Sequence, residues 1–201
     1  ILPNESSLVE MTGAGRSTVR EAMKLLQSRN IVRIKQGSGT YVASNPGVAD
    51  DPLGFTFIDD KQRLARDLLE VRFMIEPQMA SMAAEHATDD QIACIKELCD
   101  ESERLAALGE DYSAADTAFH NAIAESCGNL VVPRLMGVLK ASVPLFIDVT
   151  GKKLVEETIR THRGVADAIE ARNPTAAHDA MYLHLVYNRN MIAEGAMAKS
   201  E

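Results

Sequence analysis

Histidines at helical spacing are the residues of this sequence with the clearest capacity for chemistry. Asp116 and His120 stand four residues apart beside an apolar stripe, so a helix would present both on one face. His162 and His184 each fall on the apolar stripe of a separate predicted helix, which places them inside. Three imidazoles and one carboxylate that converge suit Zn²⁺, Ni²⁺ or another late divalent metal. Spacing alone leaves open that these are ordinary core histidines satisfied by hydrogen bonds.

The elements that must position these residues are helices. After residue 60 the sequence shows no strand pattern, and helix-breaking residues separate six helical segments. They are predicted at 61–86, 89–108, 111–126, 129–146, 153–172 and 174–194. Short loops between six helices predict an antiparallel bundle over 61–201. Residues 44–60 lack a sustained period and are rich in breakers, so they are predicted to be a linker.

Residues 1–43 have a different pattern. Asn4 can cap a short helix over 5–11, and a glycine-containing turn leads to a second helix over 16–29. The second helix should bury one stripe and present basic residues on its flank; the stripe is Val19, Ala22, Met23 and Leu26. Two short strands, 31–34 and 40–43, enclose a glycine-rich hairpin tip. The fold class is therefore mostly α, a small winged helix-turn-helix followed by an all-α bundle.

The charge is divided between these two parts. The formal net charge is -8, but residues 1–43 carry +3 and the remainder -11. A basic N-terminal segment joined to an acidic remainder can bind phosphates locally while the whole molecule stays soluble. The alternative interpretation of residues 1–43 is a solvated basic helix with a hairpin beside it.

Several classes of protein are excluded or disfavoured. No apolar run reaches the length of a membrane span, and no signal peptide is visible, so a cytoplasmic protein without membrane attachment is predicted. Three cysteines without a C-x-x-C pair fit a reduced compartment. The sequence lacks a Walker loop, a G-x-S-x-G elbow, a dinucleotide fingerprint and Glu-x-x-His repeats. Catalysis is therefore not expected.

The segment 1–43 resembles the DNA-binding domain, here called the reader, of the GntR family of bacterial regulators. The resemblance rests on three stretches in the family's order and spacing, Leu2–Glu5, Gly15–Ala22 and Gln36–Val42. It implies that the start of the second helix and the hairpin tip contact operator DNA, through Arg16, Ser17, Thr18 and Arg20, and through Gly37, Ser38 and Gly39. The family's first helix would precede Leu2, so the reader is expected to be truncated at its start.

The helical part resembles the FCD ligand-binding domain of the FadR subgroup. The matching stretches are Leu68–Glu76, Asp116–His120, Thr161–Arg163 and Tyr182–His184. The resemblance implies a metal site made by Asp116, His120, His162 and His184, with zinc preferred and nickel or another late divalent metal as alternatives. It also implies that Arg72 faces the carboxylate of a small effector, with Asn188 as a second contact. The alternative for Arg72 is an ordinary i, i+4 pair with Glu76.

Together these patterns predict a metabolite-responsive, sequence-specific transcription regulator that acts as a homodimer on operator DNA. The regulator is expected to repress transcription, and its expected effector is a sugar acid or hydroxy acid. Two alternatives remain: a helical dimer that binds DNA constitutively without an effector, and, less favoured, a metal-dependent enzyme built on the bundle.

Overall fold

The computed structural model describes residues 1–43, 46–48, 51–139 and 155–197, with the backbone alone at Val155 and 191–197. The chain forms two compact units, Ile1–Gly54 and Phe55–Glu201. Helices dominate the described residues, and the two strands belong to the first unit. No helix in the described part of the chain is long and apolar enough to cross a bilayer.

The first unit is a helix-turn-helix followed by a hairpin. Its elements are α1 (Glu5–Thr12), α2 (Arg16–Ser28), β1 (Val32–Lys35) and β2 (Gly39–Val42). The side chain of Asn4 accepts a hydrogen bond from the Ser7 backbone N–H at 2.9 Å and caps α1. Gly13, at φ +68°, ends α1 in the left-handed region and starts the turn to α2. These observations confirm the predicted winged helix-turn-helix.

The strands pair antiparallel, with Val32 opposite Val42 and Lys35 opposite Gly39. Both lie one residue from their predicted positions. Gly37 and Gly39 have φ of +75° and +123°, conformations that only glycine adopts without strain, so the hairpin turns between them. The predicted wing is therefore a two-stranded ribbon with a glycine tip.

The core of the first unit contains Val19, Met23 and Val32. Leu26 packs against it from the same face of α2, as the helical stripe predicts. Ala22 is exposed, which corrects its predicted place in the buried stripe. In the described residues α2 packs against α1 and β1, and these contacts leave Ala22 exposed.

The two ends of the predicted linker have contacts with different units. The Gly47 N–H donates to the Asn30 carbonyl at 3.2 Å, within the first unit. A short 3₁₀ turn, Phe55–Phe57, belongs to the second unit, where Lys61 Nζ donates to the Phe55 carbonyl at 3.2 Å. The division between Gly54 and Phe55 thus falls inside the stretch 44–60.

The second unit consists of helices that pack around one main core. They are α3 (Lys61–His86), α4 (Asp89–Ala107), α5 (Ser113–Ser126), α6 (Val132–Leu139), α7 (Val155–Glu170) and α8 (Pro174–Met197). Helix α3 packs on α8, α7 also packs on α8, and α4 contacts both α5 and α7. The core is filled by large apolar side chains with almost no exposure, among them Met79, Ile95, Phe119, Ile123, Ile169 and Met181.

Local signals explain most helix ends in this unit. Thr88 and Gln91 form a reciprocal capping box that starts α4. Helix α6 begins three residues later than predicted, because the side chain of Asn129 accepts from the Val131 and Val132 N–H groups at 2.8 and 3.3 Å. The predicted continuation of α6 over 140–146 lies outside the described residues.

Candidate metal centre and DNA-reading surface

Three histidines from three helices meet in the core of the second unit. His120 lies on α5, His162 on α7 and His184 on α8, and one ring nitrogen of each lies within 4.8 Å of the other two. The residues are 2%, 0% and 2% exposed. His162 and His184 follow the apolar stripes of their helices into the core, as the sequence spacing predicts, and His120 joins them from beside the stripe of α5.

His162 is the most enclosed of the three. Its ring stacks on Phe119 at 4.4 Å between centroids. Neither ring nitrogen has a hydrogen-bond partner among the described residues, although both are fully buried. A buried nitrogen without a partner costs free energy, and natural cores rarely keep two in one side chain. The ring is therefore suited to a ligand between the helices.

Asp116 lies beside this group without joining it. Its Oδ1 lies 3.5 Å from His162 Nε2, whereas the group with mutual distances under 4.8 Å consists of the three histidines. Burial raises the pKa of the Asp116 carboxyl, and His120 and Arg72 oppose that rise. A carboxylate in this position gains from any nearby cation, because the cation stabilises its charged form.

The structure places Arg72 and Glu76 in a buried ion pair on α3. Arg72 Nε lies 2.5 Å from Glu76 Oε1, and Nη2 lies 3.2 Å from Oε2. The side chains are 4% and 0% exposed. Burial alone would raise the pKa of Glu76, but Arg72 and His120 together hold it below its usual range. Arg72 thus makes the i, i+4 pair that the sequence offered as an alternative.

The same pair also touches the histidines. Arg72 Nη2 lies 3.4 Å from His120 Nε2, and Glu76 Oε2 lies 2.8 Å from His120 Nδ1. His120 Nδ1 is close to Glu76 but makes no aligned hydrogen bond among the described residues. Sequence reasoning did not name Glu76 as a site residue. The signal was present, because Leu68, Arg72 and Glu76 follow one another at i, i+4 and i+8 on a helix face that is otherwise apolar.

His184 has a polar partner on each ring nitrogen. Nδ1 lies 3.0 Å from the hydroxyl of Thr161, and Nε2 lies 3.2 Å from Asn188 Nδ2. Asn188, predicted as an effector contact, is buried one turn beyond His184. Thr161 was not predicted as a site residue, because a threonine on a helix is usually unremarkable in sequence.

The protonation of His162 and His184 suits metal binding. Burial lowers the pKa of His162 well below its ordinary value, and nearby His120 and Arg72 lower it further. Burial and the neighbouring histidines do the same for His184. Neutral imidazole is the form that binds a metal. Three imidazole rings that meet in this way can hold Zn²⁺ or another late divalent ion, with the nearby carboxylate as a candidate fourth donor.

In the first unit the predicted reading residues are exposed at the N-terminal end of α2. Arg16, Ser17, Thr18 and Arg20 face solvent. Arg20 Nε lies 3.5 Å from Glu5 Oε2 on α1, a contact between side chains about half exposed. Gly37, Ser38 and Gly39 are exposed at the hairpin tip. The structure thus presents both predicted contact sets to solvent on the first unit.

Comparison with known families decides what these two units are. The pattern described as bacterial regulatory proteins of the gntR family matches residues 1–42, and the FCD domain pattern matches residues 67–187. The chain belongs to the GntR family. Its two matched regions correspond to a helix-turn-helix reader and an FCD effector-binding domain, as the sequence resemblance implied.

Named relatives of this GntR-family chain are transcription regulators. It is 31% identical over 195 residues to the HTH-type transcriptional regulator LutR of Bacillus subtilis, covering 92% of this chain and 87% of LutR. It is 28% identical over 201 residues to the HTH-type transcriptional repressor NanR of Cronobacter sakazakii, covering 92% and 74%. The structure of Streptococcus agalactiae GntR superposes with a TM-score of 0.78 and 39% identity, covering 94% of this chain and 88% of that one. These matches confirm that the protein is a regulator and not an enzyme.

Proposed function

We propose that this GntR-family regulator is a metabolite-responsive repressor whose FCD domain binds a divalent metal ion and a small carboxylate. The observation that carries the proposal is the group of three buried histidines from α5, α7 and α8, with both nitrogens of His162 unpaired. Purely structural histidines would be expected to have their polar atoms satisfied.

For the metal, the proposed ligands are His120, His162 and His184, with Asp116 as the fourth. Zinc is preferred because three neutral imidazoles and a carboxylate form a common zinc donor set, and nickel or another late divalent ion is the alternative. Such an ion supplies a positive charge that attracts an anionic ligand. The described contacts support Asp116 less directly than the histidines, since its Oδ1 lies 3.5 Å from His162 Nε2 but it is not part of the three-histidine group.

For the effector, the proposed contacts are Arg72 and Asn188. A guanidinium has five N–H donors, and the pair with Glu76 engages Nε and Nη2, so Arg72 retains donors for a second carboxylate. Asn188 adds an amide beside His184. A site lined by these polar groups favours a sugar acid or hydroxy acid over a long apolar ligand.

For DNA, the proposed reading residues are Arg16, Ser17, Thr18 and Arg20 in the major groove, and Gly37, Ser38 and Gly39 at the minor groove. Two copies of the chain would place two α2 helices on the half-sites of a two-fold operator. Because the operator is chromosomal DNA, the regulator is expected in the cytoplasm. The effector acts only through different affinities for the DNA-competent and DNA-incompetent states. Repression is the proposed sign, and NanR is a relative named as a repressor.

The metal is tested by elemental analysis of the purified chain and of two variants. His162→Ala should lose most of the bound ion, whereas His178→Ala, a partly exposed histidine on α8, should keep it. Full metal occupancy in His162→Ala would refute the assignment. Melting shifts across a panel of small carboxylates then test the effector, and Arg72→Ala should abolish those shifts. A metal-free protein without any shift would favour the constitutive DNA binder.

The DNA contacts are tested by operator affinity. Arg20→Ala should weaken specific binding by about 1–3 kcal/mol if this side chain meets a base edge. Arg29→Ala is the matched control and should change affinity less, because Arg29 is also exposed but caps the far end of α2. Equal effects from the two variants would contradict the proposed docking of α2.

A further inference from the structure

Thr161 holds His184 from outside the metal group. It precedes His162 on α7 and is only 5% exposed. Its Oγ1 lies 2.7 Å from the Glu157 carbonyl and 3.0 Å from the Thr158 carbonyl, both on α7. The same oxygen lies 3.0 Å from Nδ1 of His184 on α8. One buried hydroxyl therefore connects the backbone of one helix with a histidine of another.

The direction of these hydrogen bonds follows from counting protons. A threonine hydroxyl has one proton to donate, and a carbonyl oxygen can only accept. The Thr161 proton therefore goes to the α7 backbone, and Oγ1 accepts from His184. Hence the proton of neutral His184 is on Nδ1, and Nε2 carries the lone pair.

The second contact of His184 agrees with this tautomer. The Asn188 side-chain nitrogen, which can only donate, lies 3.2 Å from Nε2. Nε2 must accept in that contact, so it carries no proton. Two side chains on different helices thus assign the same protonation pattern to one ring.

We propose that Thr161 is a positioning residue that fixes His184 in the Nδ1–H tautomer and so leaves on Nε2 the lone pair that binds a metal once the Asn188 amide turns away from it. This inference rests on the proposed metal site and names a residue outside its ligand set. Without the hydroxyl, the ring loses the acceptor that retains its proton on Nδ1. A metal then has to compete with a proton on Nε2 and with a freer ring. Outer partners of this kind typically change metal affinity by about 10–100-fold.

The test compares Thr161→Val, which keeps the shape and removes the hydroxyl, with Thr161→Ser, which keeps the hydroxyl. Zn²⁺ affinity of the full chain is measured by competition with a chromophoric chelator. Thr161→Val should bind about 10–100-fold more weakly, and Thr161→Ser should restore affinity to within a few-fold. Thr117→Val is the matched control, because Thr117 donates to the Ser113 carbonyl at 2.8 Å in the same i, i−4 geometry on α5. It should leave the affinity unchanged.

Long-range ¹H–¹⁵N spectra of the histidine rings, recorded on chelator-treated protein, read the tautomer directly. The wild type and Thr161→Ser should show His184 protonated on Nδ1, and Thr161→Val should show a mixture or the Nε2–H form. An Nε2–H ring in the wild type, or wild-type Zn²⁺ affinity in a folded Thr161→Val, would overturn the proposal. If the wild type binds no Zn²⁺, the proposed metal function fails. The spectra then still show whether Thr161 fixes the Nδ1–H tautomer of His184.

Discussion

Two buried carboxylates show how strongly a side chain depends on its immediate neighbours. Glu76 is fully buried against Arg72, and its pKa is lowered despite burial. Asp116 is also buried, its Oδ1 lies 3.5 Å from Nε2 of His162, and burial raises its pKa. The first carboxylate is already paired within α3, whereas for the second the effect of burial outweighs the opposing effects of His120 and Arg72. This difference makes Asp116 the better candidate to meet a cation.

Glu76→Gln should destabilise the fold by about 3–5 kcal/mol, because it leaves the Arg72 guanidinium buried without its counter-charge. The measurement is the free energy of unfolding from urea titration. Glu101→Gln is the matched control: Glu101 makes a similar two-point pair with Arg104 at 2.7 and 2.8 Å, but on the surface. Its stability should be unchanged within error. Similar losses in the two variants would contradict the proposed effect of burial.

The three cysteines should differ sharply in reactivity. Cys94 is exposed, whereas Cys99 and Cys127 are buried. Burial raises the pKa of Cys99 to about 11, which leaves little thiolate at neutral pH. A chromogenic disulfide reagent at pH 8 should therefore titrate one thiol rapidly in the native chain and three in denaturant. Rapid reaction of two thiols in the folded protein would show that α4 or α5 opens more readily than its packing suggests.

At the scale of elements, two glycines end helices in the same backbone conformation but in different surroundings. Gly109 follows α4 at φ +70°, and a Cβ there would meet nothing within 4 Å. Gly128 follows α5 at φ +72°, and a Cβ there would lie 3.1–3.2 Å from the ring and Cβ of His86. The contact includes the Cβ of His86, so rotation of the ring cannot relieve it fully.

Gly109→Ala should cost about 1–2 kcal/mol through the left-handed backbone alone. Gly128→Ala should cost more, because the clash with His86 adds to the same backbone strain. Urea unfolding of both variants measures the difference. Adding His86→Ala to Gly128→Ala should return its cost towards that of Gly109→Ala. An unchanged gap would mean that His86 is not the cause.

Helix positions were predictable where the signal is local. The span of α3 and the start of α4 follow from periodicity and from the Thr88 capping box, which act within a few residues. The start of α6 was placed too early, since Asn129 turns its side chain to the following N–H groups instead of entering the helix. Exposure of Ala22 was not predictable, because it depends on which elements cover α2.

For the site, periodicity could place His162 and His184 in the core, and the structure brings them together with His120. It could not establish which side chains surround them. The Asp116–His120 spacing guarantees a shared helix face but not equal distances to a common point, so Asp116 lies beside the group and not within it. Glu76 and Thr161 contact the histidines from helices on which no chemical motif marks them.

At the scale of the whole molecule, each unit has a core of its own. In the described residues the cluster around Val19, Met23 and Val32 contains only side chains of the first unit. The main cluster and the smaller one around Leu69 and Leu185 contain only side chains of the second. All residues proposed for the metal and the effector also lie in the second unit.

A fragment of residues 55–201 should therefore fold without the first unit. We expect a helical circular dichroism spectrum, cooperative unfolding and Zn²⁺ binding like that of the full chain, because its core and proposed ligands are complete. Operator binding should be lost, since the basic residues of α2 are absent. A fragment that is unfolded, or that binds Zn²⁺ far more weakly than the intact chain, would show that the first unit supports the second.

The enclosure of the three histidines has a consequence for how an ion would be exchanged. With exposures of 0–2%, these rings have almost no contact with solvent, so we expect an ion to reach them when neighbouring elements separate locally. The rate of metal release would then be set by slow local opening of the bundle. During dialysis against a chelator, that opening would limit the rate of metal loss more than the affinity of the chelator would. The ion recovered with freshly purified protein would accordingly reflect the supply available when the chain folded in the cell, and not the composition of the last buffer.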